Sequence, residues 1–267
     1  MSQHPLDHPQ ITSSLFFPRR SVPQKHPDGA WQDGTIKVDS DVEIGYRFYL
    51  HKKDSPVILF FHGNGEVVSD YAGISQDYHG FADVSLLVLD YRGYGWSTGT
   101  PLTSKMLPDA KIVLDKLPKI LESAGINADV PLFVKGRSLG SAPAIYLGLV
   151  APEKFKGMII ESGYADAPSL FRRLGITIPD DVKADDSLPI NNAEKMKHIH
   201  LPLLVIHGKD DNLIPVGHGE TIHNNSPIED KELIVIPGAG HNNLMAIGFV
   251  SYFSAIAGFV NNHLDKV

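Results

Sequence analysis

Ser138 is the residue of this chain best placed to act as a nucleophile, inside Gly136-Arg137-Ser138-Leu139-Gly140. This G-x-S-x-G sequence follows the apolar run 132–134 and precedes the small-residue stretch Ser141-Ala142-Pro143-Ala144. A strand that passes through two glycines into a helix turns sharply enough to lift one serine hydroxyl clear of the fold. A hydroxyl is a weak nucleophile at neutral pH and needs a base to take its proton as it attacks. An imidazole can serve, because unperturbed it titrates near pH ~6.5. A carboxylate must then hold the imidazole in the right tautomer and stabilise the imidazolium that forms. Candidates for both follow apolar runs further along: Asp210 and Asp211 come after 203–206, and His241 after 233–236. The pentapeptide alone is a weak signal. An ordered nucleophile, acid and base, each just past an apolar run, is a strong one.

The elements that must position these residues are readable from apolar patterning. Residues 42–50 alternate as an edge strand, and short apolar runs at 57–61, 86–89, 132–134, 158–160, 203–206 and 233–236 read as strands buried on both faces. Helical patterns lie between them, at 69–81, 104–124, 141–150, 216–223 and 243–263. Strands alternating with helices predict an α/β fold, with a mostly parallel central sheet of about eight strands covered on both faces. Ligands of such sheets gather at the carboxyl ends of the strands. The candidate residues all fall there. No internal repeat or linker is visible, so residues 1–267 are expected to form a single domain. Residues 1–35, rich in Pro, His and Ser, are expected to wrap its surface as an N-terminal segment. The interval 162–201 holds no core strand and is expected to form a small cap, as long intervals of this kind often serve function.

Composition excludes several classes. The 267 residues carry a net charge of −7, and the densest basic groups, Arg19-Arg20 and Arg172-Arg173, are pairs rather than stripes. A nucleic-acid partner calls for clustered Lys and Arg, so none is expected. The absence of cysteine rules out disulfides and thiol catalysis, and fits a reducing compartment. No basic stretch followed by an apolar one marks a secretory signal. The interval 242–262 lacks Asp, Glu, Lys and Arg, but its glycines and serines make it marginal for a membrane span. A buried C-terminal helix is the expectation, with membrane association the lesser reading. There is no H-E-x-x-H, and His198-Ile199-His200 has no adjacent carboxylate set, so no metal is expected. Gly63-Asn64-Gly65 lacks the Lys-Ser/Thr pair of a phosphate-binding loop. No other cofactor is expected.

These motifs together resemble the α/β-hydrolase superfamily, in particular its small single-domain serine hydrolases of the prolyl-oligopeptidase-like and α/β-hydrolase domain-containing type. The resemblance covers roughly residues 40–263. It rests on Phe61-His62-Gly63-Asn64-Gly65, Asp90-Tyr91-Arg92-Gly93-Tyr94-Gly95-Trp96-Ser97, Gly136-Arg137-Ser138-Leu139-Gly140, His207-Gly208-Lys209-Asp210-Asp211 with Ile214-Pro215, and Gly240-His241. It implies a catalytic set of Ser138, Asp211 and His241, with the acid four residues after His207. Asp210 is the neighbouring competitor. Glu161 is a weaker rival, because some hydrolases of this superfamily place the acid after the preceding strand. The same resemblance implies an oxyanion hole made by the backbone N–H groups of Asn64 and Leu139. His62 and His207 are expected to orient loops, and Asp90, Arg92 and Ser97 to fix the turn after their strand. Arg137 receives no role from the pattern.

The implied activity is cleavage of a carboxylic ester or related acyl bond of a small-molecule acyl substrate, in the cytoplasm, by a carboxylesterase-like serine hydrolase. A thioesterase or peptidase would use the same residues, and a hydrolase-fold binding protein without turnover is the alternative of a different class. Leu170, Phe171, Leu174, Ile176 and Ile178 are either plain cap core or the lining of an acyl pocket over Ser138. Substrate identity and oligomeric state leave no mark in the pattern, since one superfold hosts many reactions.

Overall fold

The apolar runs form the middle of an eight-stranded sheet in the computed structural model, which describes residues 4–168, 171 and 189–264. The strands are β1 (Trp31–Lys37), β2 (Glu43–Tyr49), β3 (Val57–Phe61), β4 (Ser85–Leu89), β5 (Leu132–Arg137), β6 (Gly157–Glu161), β7 (Leu203–Gly208) and β8 (Lys231–Ile236). They lie in the order β1-β2-β4-β3-β5-β6-β7-β8. β1 and β2 run antiparallel at one end, and β2 is antiparallel to β4. Every pair from β4 through β8 is parallel. The expected fold class is thus the observed one.

Helices cover both faces: α1 (Pro9–Leu15), α2 (Ser75–Ala82), α3 (Met106–Ser123), α4 (Ser141–Val150), α5 (Asn192–Met196), α6 (Gly217–Asn225) and α7 (Leu244–Leu264). The two-residue period of a strand splits the core. Val57, Leu59 and Phe61 of β3 join the apolar cluster of α3 and α4, while Ile58 and Phe60 join that of α2 and α7. Helix α3 meets its side of the sheet through Ala110, Val113, Leu114, Leu117 and Leu121, spaced as one helical face.

Helix α7 is long and apolar enough, by length and composition, to cross a membrane. Here it packs on the sheet through Tyr252, Phe253, Ile256 and Val260, all fully buried. The Tyr252 hydroxyl donates to Glu161 at 2.7 Å and lies 2.7 Å from that of Tyr78, which ties the helix into a buried polar cluster. Its outer face leaves Ile247, Phe249 and Val250 exposed.

Two local expectations differ from the structure, and a third falls largely outside the described residues. Strand β1 begins inside the segment expected to stay on the surface, and Leu6, Asp7 and Phe16 of that segment are buried. The pattern at 69–81 divides into a 3-10 turn, Val68–Tyr71, and the separate helix α2. Within the expected cap 162–201, Leu170, Leu174, Ile176 and Ile178 lie outside the described residues, while Phe171 is buried in a third apolar cluster.

Candidate active site

The four segments carrying the expected site residues leave the same edge of the sheet. In the register between β3 and β5, Phe61 pairs with Gly136, which sets the His62-Gly63-Asn64 loop beside the turn after β5. That turn is tight. Ser138 has φ +51°, a left-handed conformation that costs a non-glycine residue about 1–3 kcal/mol. The flanking glycines are required by close approach: a Cβ on Gly136 would lie 2.2 Å from the Gly140 carbonyl oxygen, and one on Gly140 would lie 2.0 Å from that of Phe61. Backbone cannot yield as a side-chain tip can, so neither position admits alanine without moving the turn.

The strained turn aims Ser138 Oγ at His241 Nε2, 2.9 Å away. On its other side, His241 Nδ1 lies 2.7 Å from Asp211 Oδ2. Asp211 Oδ1 is held by the backbone N–H groups of Leu213 and Ile214, at 2.9 and 2.8 Å. Burial pushes the Asp211 carboxyl up, but hydrogen bonds from His207 and His241 and the charge of His241 outweigh it, holding the group well below the usual carboxylate range. Ser138, Asp211 and His241 are all buried. Asp210, one residue away, is exposed. Glu161, the other rival, is committed elsewhere: it pairs with Lys135 and Arg137 and accepts from Tyr252. A hydroxyl, an imidazole and a buried carboxylate in this chain can move a proton from oxygen to nitrogen and keep the resulting imidazolium paired.

The remaining motif residues build the frame. His62 Nε2 lies 3.1 Å from Asp90 Oδ1, which also accepts from the Val68 N–H. His207 Nε2 lies 2.8 Å from the Ile214 carbonyl, steadying the acid loop. Arg92 grips Asp109 through two hydrogen bonds of 2.6 and 2.7 Å, and Ser97 Oγ accepts from the Gly45 N–H. Asn64 and Leu139 both line the cavity at Ser138. The Asn64 side chain is occupied: its Nδ2 donates to the Leu15 carbonyl, and its Oδ1 accepts from the Phe17 N–H and the Tyr94 hydroxyl.

Arg137 is the buried link at this site that motif reading misses. It ties three loops together. Its Nε donates to Glu161 Oε1 at 3.1 Å, and Nη1 pairs with Glu66, which in turn accepts the Gly63 N–H at 2.9 Å. Its Nη2 donates to the backbone carbonyl of His241 at 3.0 Å and to Asn242 Oδ1 at 3.2 Å. One guanidinium thus joins the serine turn, the Asn64 loop and the histidine loop. The register gives a reason, since Arg137 and Glu161 are direct partners on β5 and β6. Burial pushes Glu161 up, yet Lys135 and Arg137 outweigh it and hold the carboxyl at about 2.

A cavity of about 360 Å³ opens beside Ser138. Leu139, Met106, Tyr164, Ala167, Phe171, Leu213 and Ile214 line it, together with Ser14, Leu15, Phe16 and Phe17 from the N-terminal segment. No charged side chain is among its described lining residues. Among the described residues, no group of three or more His, Asp or Glu side chains is placed to hold a metal ion.

The family match over more than half of the chain, with relatives described as α/β hydrolase domain-containing proteins, makes the protein a member of the α/β-hydrolase superfamily, and the sheet order agrees. Within it, the chain belongs to the family described as serine aminopeptidase, S33, whose sequence pattern it matches over residues 52–177 and 191–246. The α/β hydrolase domain-containing protein aho-3 of Caenorhabditis elegans is 27% identical over 216 residues, covering 79% of this chain and 59% of that protein. The α/β hydrolase domain-containing protein 17C of Mus musculus is 26% identical over 215 residues, covering 78% of this chain and 61% of that protein. This chain therefore spans about three fifths of the length of those two relatives. The esterase Pf2001 of Pyrococcus furiosus superposes with a TM-score of 0.72 at 19% identity, over 92% of this chain and 99% of the esterase.

Proposed function

We propose that the protein is a serine hydrolase that cleaves a carboxylic ester through an acyl-enzyme intermediate. The observation that carries this reading is the unbroken chain from Ser138 Oγ through His241 to Asp211, at 2.9 and 2.7 Å. Ser138 Oγ attacks the carbonyl carbon while His241 Nε2 takes its proton. Asp211 stabilises the imidazolium, and the backbone N–H groups of Asn64 and Leu139 receive the oxyanion. Losing one such donor costs about 10²–10³ in rate. His241 then gives the proton to the leaving alcohol as the tetrahedral intermediate collapses. Water attacks the acyl-serine carbonyl, passing its proton to His241, and release of the acid restores Ser138.

The described lining of the cavity, which holds no charged side chain, favours an ester over an aminopeptidase substrate. A free peptide N-terminus carries an ammonium group, and burying it without a carboxylate partner is costly. No carboxylate is among the described residues lining the cavity. We place the enzyme in the cytoplasm, acting on a small acyl compound and not on nucleic acid or membrane. The test is covalent labelling with a fluorophosphonate, alongside turnover of p-nitrophenyl esters, thioesters and anilides. Labelling lost in Ser138→Ala, with esters turned over fastest, is the expected result. Labelling that persists in Ser138→Ala, or anilides preferred to esters, contradicts the reading.

A further inference from the structure

The N-terminal segment has no place in the motif set, yet it closes one side of the cavity at Ser138. Ser14, Leu15, Phe16 and Phe17 line that cavity, and Leu15 packs against both the main core and a third apolar cluster. The segment is fixed at several points. Leu6 is fully buried among Leu107, Tyr164 and Ile214, next to the acid loop. The Asp7 carboxylate accepts from the Ser104 N–H at 3.0 Å and from its hydroxyl. The Leu15 carbonyl accepts from Asn64 Nδ2 at 2.6 Å, and the Phe17 N–H donates to Asn64 Oδ1 at 3.0 Å and to Tyr94 Oη at 2.9 Å. Further on, Arg20 donates to the carbonyls of Gly93 and Ser97, at 3.2 and 2.8 Å.

Asn64 decides what this means. Its side chain holds residues 15 and 17 as well as Tyr94, and it lines the same cavity as Ser138. The same residue therefore ties the wall of the cavity to the loop that the β3–β5 register sets beside the Ser138 turn. The wall carries no charge, and about 360 Å³ falls within the ordinary size of a small-molecule site.

We infer that residues 14–17 form a fixed wall of the subsite for the apolar limb of the ester, and that Leu15 sets the length of limb accepted. This rests on the serine esterase reading of the same site. The substrate class is an ester with one uncharged, medium-length apolar limb. Each methylene moved from water into such a wall is worth about fourfold in kcat/KM.

The experiment compares wild type, Leu15→Trp and Leu15→Ala on p-nitrophenyl acetate, butyrate, octanoate and palmitate. A parallel series of acetate esters of alkyl alcohols shows which limb of the ester enters. Filling the space of two methylenes in Leu15→Trp lowers the octanoate-to-acetate ratio of kcat/KM about sixteenfold, and opening space in Leu15→Ala moves the optimum to longer limbs. Opposite shifts from the two variants, in either series, support the assignment. An unchanged ratio in both series, with overall rate lowered or not, overturns it. Should Leu15→Trp fail to fold, Leu15→Ala alone must lengthen the optimum. The rise in Tm given by octanoate relative to acetate runs on the same variants without turnover, and must weaken in Leu15→Trp or fall equally short of the claim. Wild-type protein that neither turns over esters nor takes a fluorophosphonate would instead sink the esterase reading, with the Tm comparison still deciding the wall.

Discussion

Replacing Arg137 by methionine keeps the bulk of the side chain and deletes the charge that joins three loops. Removing one partner of a buried ion pair costs about 3–5 kcal/mol, because the other charge stays buried. Two features put this site at the low end. Glu161 keeps Lys135 and Tyr252, and the Glu66 side chain is 24% exposed, so water compensates part of its loss. We expect about 3 kcal/mol, which for a domain of this size lowers Tm by about 6 °C. The catalytic effect is separate. Arg137 Nη2 holds the carbonyl of His241 itself, so its loss frees the loop that aims the imidazole at Ser138. Misplacing a catalytic group by about 1 Å can cost about 10² in rate, and we expect kcat to fall about 10–10² with KM little changed. The assay pairs thermal melts with ester kinetics on Arg137→Met, Arg137→Lys and Glu66→Gln. Lysine retains the charge but not the planar fork, so it should recover part of the Tm and little of the kcat. Glu66→Gln combined with Arg137→Met should cost less than the sum of the two singles. Unchanged kcat in Arg137→Met, or full recovery of kcat by lysine, would refute a positioning role for this arginine.

Two further outcomes follow from the site's charges. Asp211→Asn should lower kcat by about 10³–10⁴ by favouring the wrong imidazole tautomer, whereas the exposed neighbour in Asp210→Asn should change it no more than about twofold; equal losses in ester kinetics would undo the choice between them. Glu161 titrates at about 2 in the folded chain against an ordinary 4.5, so its contribution to stability is complete above pH about 4.5 and is lost as pH falls toward 2. Denaturant melts across that window should show stability falling with acidification, and Glu161→Gln, less stable at pH 7, should show a shallower slope; an unchanged slope would show that Glu161 does not carry it.

The fold was legible wherever apolar runs had to be buried on both faces. Strands such as β3 admit no other reading, and the polar residues that follow them mark the ligand edge. β1 was not legible, because Trp31-Gln32-Asp33-Gly34-Thr35-Ile36-Lys37 lies at the sheet margin, mostly half-buried, and carries no alternating signal. The serine turn after β5 was legible because its glycines answer to backbone approach, a constraint that shows directly in residue type. The choice of Asp211 over Asp210 came from family likeness alone, and the structure gives it a physical reason in burial and in two backbone N–H donors. The pairing of Lys135 and Arg137 with Glu161 stayed hidden because charged residues in sequence read as surface, and only strand register shows that two of the three are neighbours. The N-terminal wall was hidden for a related reason. Leu15 and Asn64 lie 49 positions apart, and nothing local in either marks the hydrogen bond between them.

The central claim is that Ser138 is the nucleophile of an acyl-transfer site. Intact-mass analysis of native protein treated with a fluorophosphonate, followed by peptide mapping, tests it most directly. One adduct per chain, carried on Ser138 and absent from both Ser138→Ala and acid-unfolded protein, is the predicted result. An adduct on another residue, or none on folded wild-type protein, would contradict it.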